Sequence, residues 1–188
     1  MSIDLDFIAA QVDHGCDAQN EPELKRLIQT CETALIDALG SDRVDLNYFI
    51  ANAYAGLWQI RSETDGPWAW TAHEVIQEIL ALRKAIAETE FKNSEVVRQC
   101  QIRTNLANKL STLGRSVEAI EEYSKVLDLG ANFTLASGNR AYAITTYSWY
   151  LYDKGHQSIL LNCALVDYRH ALQPTAFWDT GFYTNAAD

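Results

Sequence analysis

Along most of the chain, large apolar residues return every three or four positions, the period of a helix that buries one face. Leu5, Ile8 and Val12 predict a short first helix. Leu24, Leu27, Ile28, Cys31, Leu35 and Leu39 predict a second, with Asn20 and Pro22 at its start and Gly40 as its stop. Ser41 or Asp42 is expected to cap a third, carrying Leu46, Phe49, Ile50, Ala53, Tyr54 and Leu57. "SETDGPWAW" then interrupts with Gly66-Pro67, a loop signal. A helix resumes near Ala72 with Val75, Ile76, Ile79, Leu82 and Ile86, and "FKNSE" breaks it, with Ser94 as the expected cap of the next. One helical pair covers Thr104 to Gly130. A last pair runs from about Asn132 to Tyr152 and from Ser158 to Leu172. No segment alternates as a strand would, so the expected fold class is all-α.

The pattern repeats. Asn105-Leu106-Ala107 and Asn139-Arg140-Ala141 stand 34 residues apart. Ala119, Tyr123 and Leu127 match Ala164, Tyr168 and Leu172 at an offset of 45, so the last hairpin holds 11 extra residues. Eleven residues make about three helical turns, an insertion that keeps the apolar face in phase. Small residues fall between large ones in the first of these hairpins. Ala107 and Ala119 would let two antiparallel helices cross closely, and Gly114 would end the first arm in a left-handed turn.

A helix–turn–helix unit of 34 residues with Leu106, Ala107, Gly114, Ala119 and Tyr123 at these places resembles a tetratricopeptide (TPR) repeat. The resemblance departs at Arg103, where a large apolar residue is usual, at Ala131, where proline is common, and at Arg140. "YFIANAYAGLWQI" resembles a TPR first helix through Ile50, Ala51 and Tyr54, its partner over Val75 to Ile86 being displaced by the insertion with Trp68 and Trp70. "LIQTCETALIDAL" reads as an unpaired second helix. The resemblance implies a TPR-like α-solenoid of antiparallel hairpins over residues 1–172, clearest in 95–131 and 132–172, with 173–188 as an aromatic tail or cap. More narrowly, the stretch from "CQIRTNLANKL" to "LYDKGHQSILL" is similar to the N-terminal TPR part of bacterial proteins that carry a C-terminal HEPN domain, commonly an RNase. The Arg–His pair of such a domain is absent here, because none of His14, His73, His156 or His170 has an arginine at the required distance before it.

In a TPR stack the first helices line a concave groove. Projecting that arrangement puts Asn52, Thr104, Asn105, Asn108, Ser111, Asn139, Tyr142 and Thr145 toward a ligand. Asparagine is a poor helix former, and its amide can pair with an extended peptide's backbone whatever the peptide's sequence. A second reading stays open, in which Asn105 and Asn139 bond to a neighbouring helix. The aromatics Tyr147, Trp149, Tyr150 and Tyr152 read more readily as core or end-cap than as a recognition surface. Lys109, Arg103 and Arg140 are the cations near the groove, and none fits the pattern that grips a peptide's carboxylate.

Charge and chemistry narrow the rest. With 25 acids against 15 Lys and Arg the formal charge is −10, which opposes direct nucleic-acid binding. No apolar run is long enough for a membrane span. Acids in "MSIDLDFIAAQVDHG" stand where a signal peptide would carry Lys or Arg, and the four separated cysteines form no CxxC pair, so a cytoplasmic protein with reduced thiols is expected. His14-x-Cys16 has no further ligands for a metal, and no phosphate loop, nucleophile elbow or carboxylate dyad is present, with Glu118, Glu121 and Glu122 expected on a solvated helix face. The expectation is a non-enzymatic scaffold without metal or cofactor that binds a protein or peptide. The alternative is the sensor half of a HEPN RNase system, and self-association through the C-terminal aromatics is a further kind of partnership.

Overall fold

A computed structural model describes residues 4–66, 73–129 and 133–172. Among them every regular element is helical: α1 (Leu5–Asp17), α2 (Glu21–Ala34), α3 (Ser41–Asp65), α4 (His73–Ala87), a 3-10 helix (Thr89–Asn93), α5 (Val96–Thr112), α6 (Ser116–Asp128), α7 (Thr134–Trp149) and α8 (Lys154–Ala171). The chain divides into two units, Met1–Glu95 and Val96–Asp188. Trp68, Trp70, Ala131 and the tail 173–188 lie outside the described residues.

In the first unit α3 is the central helix, with α1, α2 and α4 packed around it. Leu24, Val44, Leu46, Val75, Leu82 and Phe91 are fully enclosed. The approach is close where side chains vanish. A β-carbon on Gly56 would stand 2.6 Å from the Cys16 sulfur, and one on Gly15 2.9 Å from Leu24 Cδ2. α2 is therefore partnered, where the sequence left it without a mate. It is also shorter than its apolar stripe. The stripe predicts a helix to Leu39, yet α2 ends at Ala34 and Leu39 is exposed. Arg43 of α3 donates to the Leu35 carbonyl at 2.8 Å and so satisfies one of the acceptors a helix end leaves bare. Gly40 (φ +59°) then leads into α3 as its cap, with no side chain from Ser41 or Asp42 in that role. α3 runs on through Ser62 to Asp65, past the expected break. α5 begins at Val96, two residues after Ser94, whose hydroxyl donates to the Glu90 carbonyl at 3.4 Å.

The second unit is a succession of four helices in which α5 packs on α6, α6 on α7 and α7 on α8. Ala107, Ala119 and Ala141 are buried without remainder. At the α5–α6 turn Gly114 has φ +73°. Its N–H donates to Ser111 O and that of Arg115 to Leu110 O, both at 2.9 Å, the paired closure of a helix that ends on a left-handed residue. The 11 extra residues of the second hairpin go almost wholly into its helices. α7 ends eight residues past Ala141 while α5 ends five past Ala107, and α8 begins ten before Ala164 while α6 begins three before Ala119. So α7 gains three residues, α8 seven and the turn one. Both arms lengthen, and Trp149, Tyr150 and Tyr152 lie at the extended end. All three are exposed, so they are not core.

Candidate functional site

The eight residues expected in the groove divide between the two units. Asn52 lies half-buried on α3 of the first, and its backbone carbonyl accepts a long bond from the Cys16 thiol at 3.7 Å. The other seven lie on α5 and α7 of the second.

Thr104 is 1% exposed, and its hydroxyl faces the interior rather than a ligand. On a helix a residue one position away is turned by about 100°, and Thr104 falls on the enclosed side of that step with Ala107. Thr145 is half-buried and its hydroxyl is taken by the Ala141 carbonyl at 2.9 Å. Asn105 and Ser111 are half-buried.

Asn108 and Asn139 are brought together. The Asn108 carbonyl oxygen accepts from the Asn139 amide at 2.9 Å and from the Tyr123 hydroxyl at 2.6 Å. Tyr123 reaches it from α6, and burial pushes the phenol's pKa well above its ordinary value. One amide oxygen thus ties three successive helices. The pairing agrees with the reading in which Asn139 bonds within the stack, and still leaves the Asn108 N–H groups and the Asn139 carbonyl without a described partner. α7 presents Tyr142, 52% exposed, one turn past Asn139, and Trp149, 71% exposed, at its far end. They are seven residues apart, two helical turns or about 10 Å along one face. Trp149 was not a groove candidate in the sequence; the i, i+7 spacing to Tyr142 was the available signal.

The arginines near this face are committed. Arg140 grips Asp167 with two bonds of 2.7 Å and donates to the Ser124 hydroxyl at 3.0 Å. Asp167 is buried, and its grip raises the Arg140 pKa further. Arg103 pairs with Glu122 at 2.6 Å. Glu122 is mostly enclosed and also meets Lys125 at 2.7 Å, so it is no solvated-face acid as its sequence context suggested. The acids occupy equivalent places, each just before the tyrosine of its second helix, while the arginines do not. The equivalent of Arg103 is Ser137, one turn before Arg140.

Ser137 donates to the Asp167 carbonyl at 3.2 Å and lies 3.3 Å from His170 Nδ1. Its hydroxyl is enclosed, which closes it to any substrate. No group of three or more metal-ligating side chains occurs among the described residues, and no described helix is long and apolar enough to cross a membrane. Comparison with protein-family models and with curated proteins finds no match to this chain.

Proposed function

We propose that this chain is a TPR-type helical scaffold that binds a protein or peptide and performs no chemistry on it. The observation that carries this reading is the α5–α7 face of the second unit. There the Asn108–Asn139 node, with donors and an acceptor to spare, adjoins the solvent-facing ring of Tyr142, and Trp149 stands two turns further along α7. Exposed aromatic rings on the helix that carries an oriented amide suit recognition of an extended segment: rings take up its apolar side chains, and amides its backbone. Neither Arg103 nor Arg140 is available to hold a terminal carboxylate, so the favoured ligand is an internal segment rather than a chain end.

The test is selection from a displayed random-peptide library against the wild-type chain, followed by titration of enriched peptides. Tyr142→Ala with Trp149→Ala should abolish binding while the urea midpoint stays unchanged, because both rings project into solvent. Peptides that bind this double variant as tightly as the wild type would remove the α5–α7 face from consideration.

A further inference from the structure

From Ala141 to Tyr152 the chain carries no Asp, Glu, Lys or Arg, although 21% of all its residues are charged. The exposed side chains of this stretch are Tyr142, Trp149, Tyr150 and Tyr152. Asn139, Tyr142, Thr146 and Trp149 follow one another at helical spacing and so share a face of α7. On α5, Asn105, Asn108 and Thr112 share a face in the same way, again without charge, and the Asn108–Asn139 bond joins the two. Charges stand only at the borders. Arg140 is held by Asp167, and Lys109 is half-buried beside Asn108. At the far end Asp153 and Lys154 have opposite signs, and both are engaged: Asp153 accepts from the His156 N–H at 2.9 Å, and Lys154 donates to Gln157 at 3.0 Å. No run of one sign crosses the face, so a ligand's charge adds little to its binding.

The hydrogen-bonding groups of the face are mostly donors. The Asn108 amide and the Trp149 indole offer N–H groups, and the hydroxyls of Tyr142, Tyr150 and Tyr152 can turn to donate, against the one amide carbonyl of Asn139. An ordinary extended peptide presents N–H and carbonyl groups in equal number, whereas a proline-rich one presents carbonyls and few N–H groups. Spacing points the same way. Tyr142 and Trp149 stand about 10 Å apart along α7. A polyproline II helix repeats every three residues, about 9 Å, so prolines at i and i+3 rise on one side at nearly the interval of the two rings. Same-face residues of a β-strand recur at about 7 Å or about 13 Å, and neither fits. A helical ligand fits the interval but satisfies its own backbone, which leaves the donors of the face unused.

We propose that the α5–α7 face takes a proline-rich segment in the polyproline II conformation. Its proline rings stack on Tyr142 and Trp149, and its carbonyls accept from the Asn108 amide and the Trp149 indole. The proposal rests on the reading of this face as a peptide-binding surface and names the class of peptide. Such a segment is ordered before it binds, so little conformational freedom is lost on docking.

The probe is a dye-labelled decaproline peptide, titrated against the full chain by fluorescence anisotropy. A Gly-Ser decamer and an alanine-based helical peptide with the same label serve as controls. Decaproline should bind about tenfold more tightly than either control and lose about tenfold when Tyr142→Ala is combined with Trp149→Ala. Its affinity should change less than about twofold between about 0.05 M and about 0.5 M salt. Tyr142→Phe with Trp149→Phe keeps the rings and should retain most of the binding, which separates lost stacking from a lost fold. If library-selected peptides bind the face while decaproline does no better than the Gly-Ser decamer, the proline assignment is overturned and the peptide-binding reading stands. Decaproline held equally well by the double alanine variant would overturn the assignment by moving its site off α7. Failure of decaproline together with a library that yields no binder would overturn both.

Discussion

The two hairpins of the second unit begin from the same pattern and end differently. α5–α6 closes through three residues around a left-handed glycine, and its Arg103–Glu122 pair is shared with Lys125. α7–α8 has longer arms, displays aromatics at its far end and holds Arg140 in a fork on Asp167, an acid more deeply buried than Glu122. A shared apolar register therefore fixes how helices cross, while insertions and ion pairs decide what each hairpin offers to solvent.

Breaking each ion pair should sharpen that contrast most. Arg140→Ala leaves a buried carboxylate stripped of both its bonds from a side chain, and should lower unfolding free energy in urea by about 3 kcal/mol. Arg103→Ala leaves Glu122 with Lys125 and should cost about 1 kcal/mol. Equal losses would mean that the two pairs do the same work.

The amide node separates removal of an acceptor from removal of a donor. Asn108→Ala strands both the Tyr123 hydroxyl and the Asn139 amide, an expected loss of about 2 kcal/mol. Tyr123→Phe removes one donor and leaves Asn108 still paired with Asn139, an expected loss of about 1 kcal/mol. The reverse order in chemical denaturation would contradict the assignment of Asn108 as the shared acceptor. Gly114→Ala comes next, at about 1 kcal/mol, because the residue there must keep a positive φ although there is room for the methyl group.

The smallest effect is a pH dependence. The folded pKa of Tyr123 lies above its ordinary value near 10, so the folded chain retains a proton that the unfolded chain releases. Its contribution is complete below about 10 and falls as pH rises beyond it. Tyr123→Phe should flatten that alkaline limb in melting temperatures taken across pH, and an unchanged limb would place its origin elsewhere.

The helices were legible in the sequence because their signals are local. The Ala107–Ala119 crossing and the turn at Gly114 need only the 3.6-residue period and one glycine. The end of α2 was not, because the carbonyl that stops it is satisfied by Arg43 from another helix. The distribution of the 11 extra residues was hidden for a similar reason. An inserted helical turn reads the same as the helix it extends, so the sequence carries the phase of the insertion but not its division between α7 and α8. At the candidate face, Asn108 and Asn139 could be placed on neighbouring first helices, but Thr104 could not be told from a surface residue without the rotation of α5. The fork between Arg140 and Asp167 depends on the lateral register of α7 and α8, which no single stretch encodes.

The node at Asn108 has a kinetic meaning as well. Its side chain is held from behind by a buried phenol and from the side by a second amide, so its rotamer is set before any partner arrives. For a ligand of the kind proposed above, little torsional disorder would be left to quench, which would favour slow departure over fast capture. The same anchoring makes the surface a reporter of the interior. Whatever loosens Tyr123 leaves Asn108 held by Asn139 alone, so an event in the core alters how firmly that surface amide is set.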